Sequence, residues 1–183
     1  MGRAKTDIQG ISLIETESFN DERGTFSRLF CSSVLVEILE GRTIKQINTS
    51  HTKAKGSIRG LHFQAPPKPE MKLIRCLRGA IWDVAVDLRA GSPTFLRSFG
   101  VRLSAENLTM VVIPEGFAHG FQTLEPDSEL LYLHTEFYSS SLEGGVRFDD
   151  PVLDIQWPIK PREVSERDKT HDLIEPGFRG ITL

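Results

Sequence analysis

GSIRGLHFQAPPKPEMKLIRCLRGAIWDVAVDLR, residues 56–89, holds two apolar alternating runs on either side of a proline-rich turn, with Arg59, His62, Gln64 and Lys72 interrupting the pattern. Successive side chains of a strand point to opposite faces, so Ser57, Arg59, Leu61 and Phe63 share one face and Ile58, Gly60, His62 and Gln64 the other. In an unbroken strand Arg59 and His62 therefore point apart. A bulge or kink at Gly60 brings both to one cavity, and glycine inside a strand often marks such an irregularity. The run from Lys72 to Leu88 is rich in β-branched residues and reads as a hairpin turning at Arg78-Gly79. Its second limb sets Ile81, Asp83, Ala85 and Asp87 against Trp82, Val84, Val86 and Leu88, and the second set is the expected core face.

Outward from this stretch, short strands continue in both directions. Ile8–Phe19 reads as one or two strands ending in the turn Asn20-Asp21-Glu22-Arg23-Gly24, and Thr25–Cys31 as another. Ser32 or Ser33 is placed to cap a short helix over Val34–Leu39, with Gly41 as its stop. Thr43–Ser50 returns to strand with Gln46, Asn48 and Ser50 on one face, a pattern expected of a solvated edge or of a ligand wall. Phe95–Leu103, Thr109–Pro114, Phe117–Leu124, Glu129–Thr135 and Glu136–Tyr138 follow as strands. This spacing with almost no helix predicts an all-β sandwich or barrel. Residues 139–183 form a turn-rich tail in which Ser165-Glu166-Arg167-Asp168 reads as a capped single turn. The whole chain, residues 1–183, is expected to be one domain with its core at about 8–138.

The composition is ordinary for a globular protein: 39% hydrophobic, 26% charged, and a formal net charge of −3 that offers no long-range attraction to nucleic acid or anionic lipid. Cys31 and Cys76 lie in apolar contexts without CxxC spacing and are expected to be buried free thiols. No apolar run reaches the roughly 18 residues of a membrane span, and the opening residues hold no secretory h-region, so a cytoplasmic protein is expected.

Of the five histidines, His62 and His119 stand out for their neighbours, while His51, His134 and His171 carry no distinguishing context. Pro114-Glu115-Gly116-Phe117-Ala118-His119 fits the P-x-G-x-x-H spacing of the second cupin motif, and the all-β pattern suits a cupin-type jelly roll. Metal-binding cupins supply H-x-H from their first motif. Here that position reads His62-Phe63-Gln64, so Glu70 and His119 would complete only a poor site and no metal is expected. A metal-free pocket holding a histidine, a lysine and a tyrosine suits proton transfer at carbon.

With these features, the ordered motifs of the chain resemble the dTDP-4-dehydrorhamnose 3,5-epimerase family. They include Asp21–Phe26, Gln46 with Asn48, Arg59–Gln64, Lys72 in its K-L-I-R frame, Asp83–Arg89, Ser92–Phe95, Leu103–Asn107, Ile113–Phe121, Tyr132, Tyr138, Asp149-Asp150-Pro151 and Ser165–Asp168. The resemblance implies a cofactor-free isomerase that epimerises a nucleotide-linked 4-keto-6-deoxyhexose at C3, C5 or both, and a homodimer paired through edge strands. It implies His62 as base, Asp168 as the carboxylate that orients it, Lys72 as the stabiliser of the enolate oxygen and Tyr132 as the acid. Arg59 and His119 would contact diphosphate and sugar, and Arg23, Phe26, Gln46, Asn48 and Tyr138 would line the nucleotide side. Two positions depart from the family pattern. Phe26-Ser27-Arg28 replaces F-x-E, so a base-reading carboxylate becomes arginine and a cytosine (CDP-linked) substrate becomes an alternative to dTDP. Glu70-Met71-Lys72 replaces the commoner Gln-x-Lys. A C4-to-C3 ketoisomerase and a silent sugar-nucleotide binding module are the rival readings.

Overall fold

In the computed structural model, which describes residues 1–183, the chain forms thirteen strands and two short helices. The strands are β1 (Gly2–Lys5), β2 (Ser12–Glu15), β3 (Ser18–Asp21), β4 (Gly24–Ser27), β5 (Gln46–Thr52), β6 (Ile58–Gln64), β7 (Lys72–Arg78), β8 (Ala80–Asp87), β9 (Ser98–Ser104), β10 (Thr109–Ile113), β11 (Phe117–Thr123), β12 (Ser128–His134) and β13 (Glu143–Gly145). The helices are α1 (Val36–Leu39) and α2 (Glu166–Lys169). A six-stranded sheet in the order β1-β2-β10-β7-β12-β5 faces a five-stranded sheet in the order β13-β6-β11-β8-β9, all pairs antiparallel. This is the jelly roll expected from the alternation of short strands.

The apolar side chains divide into three layers. Ile74, Cys76 and Val111 from one sheet meet Ile81, Ala85, Phe117 and Phe121 from the other. The outer face of the six-stranded sheet (Ile14, Leu73, Met110, Val112) is covered by Leu35, Ile38 and Leu39 around α1. The outer face of the five-stranded sheet (Leu61, Val84, Val86, Ala118) is covered by Val146, Leu153, Trp157, Ile174 and Phe178. The tail is thus the second skin of one sheet. Asp150 pins it by accepting bonds from the Val152 and Ile174 N–H groups.

Several local expectations change. The Lys72–Leu88 run is not a hairpin: β7 pairs with β10 and β12, β8 with β9 and β11, and Arg78-Gly79 carries the chain from one sheet to the other. Alternation cannot separate the two cases, because β8 is buried on both faces, with Ile81 and Ala85 in the central layer and Val84 and Val86 beneath the tail. Gly79 makes the corner with φ +70°, so close to Ser128 that a Cβ would lie 2.6 Å from its Oγ. The first helix spans only Val36–Leu39, capped by neither Ser32 nor Ser33; the Cys31 carbonyl closes the preceding turn by accepting from the Val34 and Leu35 N–H groups. Glu136–Tyr138 is not a strand, since the Gln46 and Gln64 side-chain amides bond its backbone in place of a neighbouring strand. Cys76 is buried, and desolvation pushes its thiol up to about 11, whereas Cys31 is half-buried at a surface turn.

Candidate active site

At one open end of the two sheets a cavity of about 880 Å³ is lined by β5, β6, β7, β11, β12 and the segment around α2. Its geometry begins at Gly60. The ladder pairs His119 with His62 but Phe121 with Arg59, so β6 carries one extra residue between them, the bulge the sequence calls for. Gly60 sits at φ +103°, and a Cβ there would lie 2.6 Å from the His119 carbonyl oxygen, which no side chain tolerates. The extra residue turns Arg59 and His62 to the same cavity, while Leu61 stays in the layer beneath the tail.

The five-stranded wall supplies two imidazoles, each backed by a carboxylate. His62 Nε2 lies 2.7 Å from Asp168 Oδ1, with side chains 29% and 5% exposed respectively. Asp168 is delivered by α2, where its N–H donates to Ser165 Oγ, and its Oδ2 accepts the Gly60 N–H at 3.2 Å. Burial pushes the Asp168 carboxyl up, but the bonds from His62 and Gly60 outweigh it and hold the group below the usual carboxylate range. With Nε2 engaged, Nδ1 is the His62 nitrogen left without a hydrogen bond. His119 Nε2 lies 2.8 Å from Asp83 Oδ2, both nearly sealed at 6% and 1% exposed.

The six-stranded wall supplies Lys72, Tyr132 and their partners. Lys72 Nζ lies 3.1 Å from Glu70 Oε1, and the other Glu70 oxygen is 2.7 Å from His134 Nδ1. Burial raises Glu70, but His134 and Lys72 together hold it below its ordinary value. The Tyr132 ring stacks on His134 and meets the edge of His119, and its hydroxyl lies 3.2 Å from Ser50 Oγ. Burial pushes the phenol well up, so it is protonated at neutral pH. Arg59, Lys53 and Arg167 add positive charge to the cavity lining, and Tyr138 donates its hydroxyl to Glu143, which also pairs with Arg167.

His62, Lys72, Tyr132, Asp168, Asn48, Arg59, His119 and Tyr138 are therefore brought together as expected. Within one chain Arg23, Phe26 and Arg28 are not. They lie on or just beyond the β3–β4 hairpin, which pairs with neither large sheet and leaves Phe19 and Phe26 68% and 72% exposed. Gln46 is spent on the Tyr138 N–H rather than on the cavity. Gln64, at the position of a cupin metal histidine, is likewise committed: its amide donates to the Lys68 and Phe137 carbonyls and accepts from the Ser139 N–H. Sequence reading weighed Glu70 only as a metal ligand and missed His134 as a cavity residue and Asp83 as the carboxylate behind His119, because each is recognisable only by the partner that long-range pairing brings to it. It also missed His171, which packs edge-on against His62. Burial and that neighbour hold His171 below the ordinary histidine value.

The fold and this cavity define a class: a jelly roll with carboxylate-backed imidazoles on one sheet facing a lysine and a protonated phenol on the other. More specifically, the chain belongs to the dTDP-4-dehydrorhamnose 3,5-epimerase family, whose model matches residues 5–175. It is 42% identical over 169 residues to the dTDP-4-dehydrorhamnose 3,5-epimerase of Shigella flexneri, covering 92% of this chain and 93% of the relative. Among solved structures it is similar to a Legionella pneumophila dTDP-6-deoxy-D-glucose-3,5-epimerase in complex with dTDP-4-keto-L-rhamnose (TM-score 0.90, 37% identity, 94% and 92% of the chains). It is also similar to a 3'-monoepimerase from Streptomyces bikiniensis in complex with dTDP-quinovose (TM-score 0.85, 32% identity, 92% and 85% of the chains).

Proposed function

We propose that this chain is an isomerase that epimerises a nucleotide-diphosphate-linked 4-keto-6-deoxyhexose at C3 and C5, through an enolate, as a step of deoxysugar biosynthesis. The observation that carries the reading is the mounting of His62 and Tyr132 on different sheets across one cavity, on β6 and β12. Inversion at carbon requires a proton to leave one face and arrive at the other, and two facing walls supply that separation.

His62 Nδ1 accepts the proton α to the ketone, and Asp168 stabilises the imidazolium that forms. The C–H electron pair moves onto the carbonyl oxygen, where the Lys72 ammonium stabilises the enolate. Tyr132 then donates its hydroxyl proton to the opposite face of the carbon, and Ser50 is positioned to relay a replacement. Arg59, Lys53 and Arg167 balance the charge of the diphosphate. No step calls on a cofactor.

The base is read as thymine, because relatives of this fold are described in complex with dTDP-sugars. The cytosine alternative needs Arg28 at the base; Arg28 directly follows the β3–β4 hairpin and lies outside this chain's own cavity, so the CDP compound is the test of it. A homodimer is part of the proposal: the exposed β3–β4 hairpin, carrying Arg23 and Phe26, is available to complete the nucleotide side of a second copy's cavity. Deuterium incorporation from D₂O into dTDP-4-keto-6-deoxyglucose, followed by NMR with the CDP analogue in parallel, tests the reading. Label at C3 and C5 of the dTDP compound is expected. Label at C3 alone supports a single-centre epimerase like the S. bikiniensis relative, and folded protein that exchanges neither compound overturns the proposal.

A further inference from the structure

We propose that His62, Asp168 and His171 form a binding site for a borderline divalent metal ion of the Zn²⁺ or Co²⁺ type, and that the bound ion arrests proton transfer by occupying His62. One ligand atom from each residue lies within 4.8 Å of the other two. His171 Nε2 is sealed from solvent and has no hydrogen-bond partner, an expensive state for a buried ring nitrogen. Its place is also made for it by β13, where a Cβ on Gly145 would lie 2.3 Å from that same nitrogen. Gly145 is in turn the ladder partner of His62, so one glycine sets both imidazoles.

The spacings suit a small ion. Nitrogen and oxygen ligands at about 2.0–2.1 Å around a tetrahedral ion lie about 3.3 Å apart. Asp168 Oδ1 is 2.7 Å from His62 Nε2 and 3.9 Å from His171 Nε2, so a shift of about half an ångström evens the two edges around that value. Asp168 Oδ2 is held by the Gly60 N–H, which leaves Oδ1 to face the ion. Two imidazoles and one carboxylate favour Zn²⁺, Co²⁺ or Ni²⁺ over Mg²⁺ or Ca²⁺. Of the cupin metal positions only His62 is shared, since Gln64 and His119 take no part. Coordination through His62 Nε2 forces the remaining ring proton onto Nδ1, the nitrogen that otherwise accepts the substrate proton. Binding rests on the geometry alone, whereas arrest rests on His62 being the base.

The test is a titration of EDTA-stripped protein with CoCl₂, read by the visible d–d absorption of a low-coordinate site, and with ZnCl₂, read by calorimetry and by deuterium exchange. One equivalent is expected to bind, with exchange falling as the site fills and returning on EDTA addition. His171→Gln and Gly145→Ala, checked for native circular dichroism, are expected to lose the Co²⁺ band and to weaken Zn²⁺ binding by about 10-fold or more. An unchanged band and affinity in both variants overturns the site, and full exchange at saturating Zn²⁺ overturns the arrest. If the band depends on His171 yet no sugar nucleotide exchanges even without metal, the site stands and the epimerase reading fails.

Discussion

On the five-stranded wall both imidazoles lean on buried carboxylates, His62 on Asp168 and His119 on Asp83, whereas the six-stranded wall presents a lysine held by Glu70 and a phenol held by Ser50. The carboxylates fix the orientation of the two imidazoles, while burial of Tyr132, which outweighs the Ser50 bond and the Arg59 charge, keeps the phenol protonated. In the proposed reaction one wall receives a proton and the other gives one. The two imidazoles differ in access: His62 is open to the cavity and His119 is nearly sealed against Tyr132, so only the first is free to meet a C–H bond.

Removing the receiving group should have the largest effect. His62→Ala is expected to lower exchange and turnover by on the order of 10³-fold, and near-normal turnover would end the assignment of the two walls. Tyr132→Phe removes the giving group while leaving the receiving one intact. Product formation is expected to fall on the order of 10²-fold, with loss of the α proton continuing; equal suppression of both would mean that the walls do not divide the work. Asp168→Asn weakens the backing without removing the base. A drop of roughly 10- to 100-fold in kcat with little change in KM is expected, and a change confined to KM would assign Asp168 to binding.

The smallest effect sharpens the contrast with carboxylates that serve only the fold. Asp87, buried among Arg89, Ser92 and Thr94, is held at about 2 against an ordinary 3.8; burial pushes it up, but these hydrogen bonds outweigh that. A depressed folded value means stability that is present above about pH 4 and lost as pH falls towards 2, an effect of about 2 kcal/mol. Asp87→Asn should lower stability by about that amount at pH 7 and flatten the acid dependence, as read from urea unfolding, with deuterium exchange at neutral pH nearly unchanged. A loss of exchange equal to that of Asp168→Asn would erase the distinction.

Much of the site could be read directly from the chain. Glycine at position 60 inside an apolar strand announced a bulge, and the bulge is what puts Arg59 and His62 in one cavity. Ser165-Glu166-Arg167-Asp168 announced a capped turn, and the cap orients Asp168. Thr43–Ser50 was open between an edge and a ligand wall, and β5 is both: it is the last strand of its sheet, and Asn48 and Ser50 line the cavity. The helix start was misread because the Cys31 carbonyl closes a separate turn over Val34 and Leu35, and no serine hydroxyl caps the helix that follows. Glu136–Tyr138 was misread because two distant glutamine amides supply its hydrogen bonds.

Local periodicity, glycine placement and capping residues are properties of neighbours along the chain, so the all-β class, the Gly60 irregularity and the Ser165–Asp168 turn were determined by sequence alone, while the choice of His62, Lys72, Tyr132 and Asp168 as reacting groups followed from the family resemblance. Which strand pairs with which depends on long-range packing between surfaces that alternation makes equally apolar. Tertiary structure alone therefore split β7 and β8 between two sheets, left the β3–β4 hairpin outside both, joined Glu70 to His134 and brought His171 beside the His62–Asp168 pair.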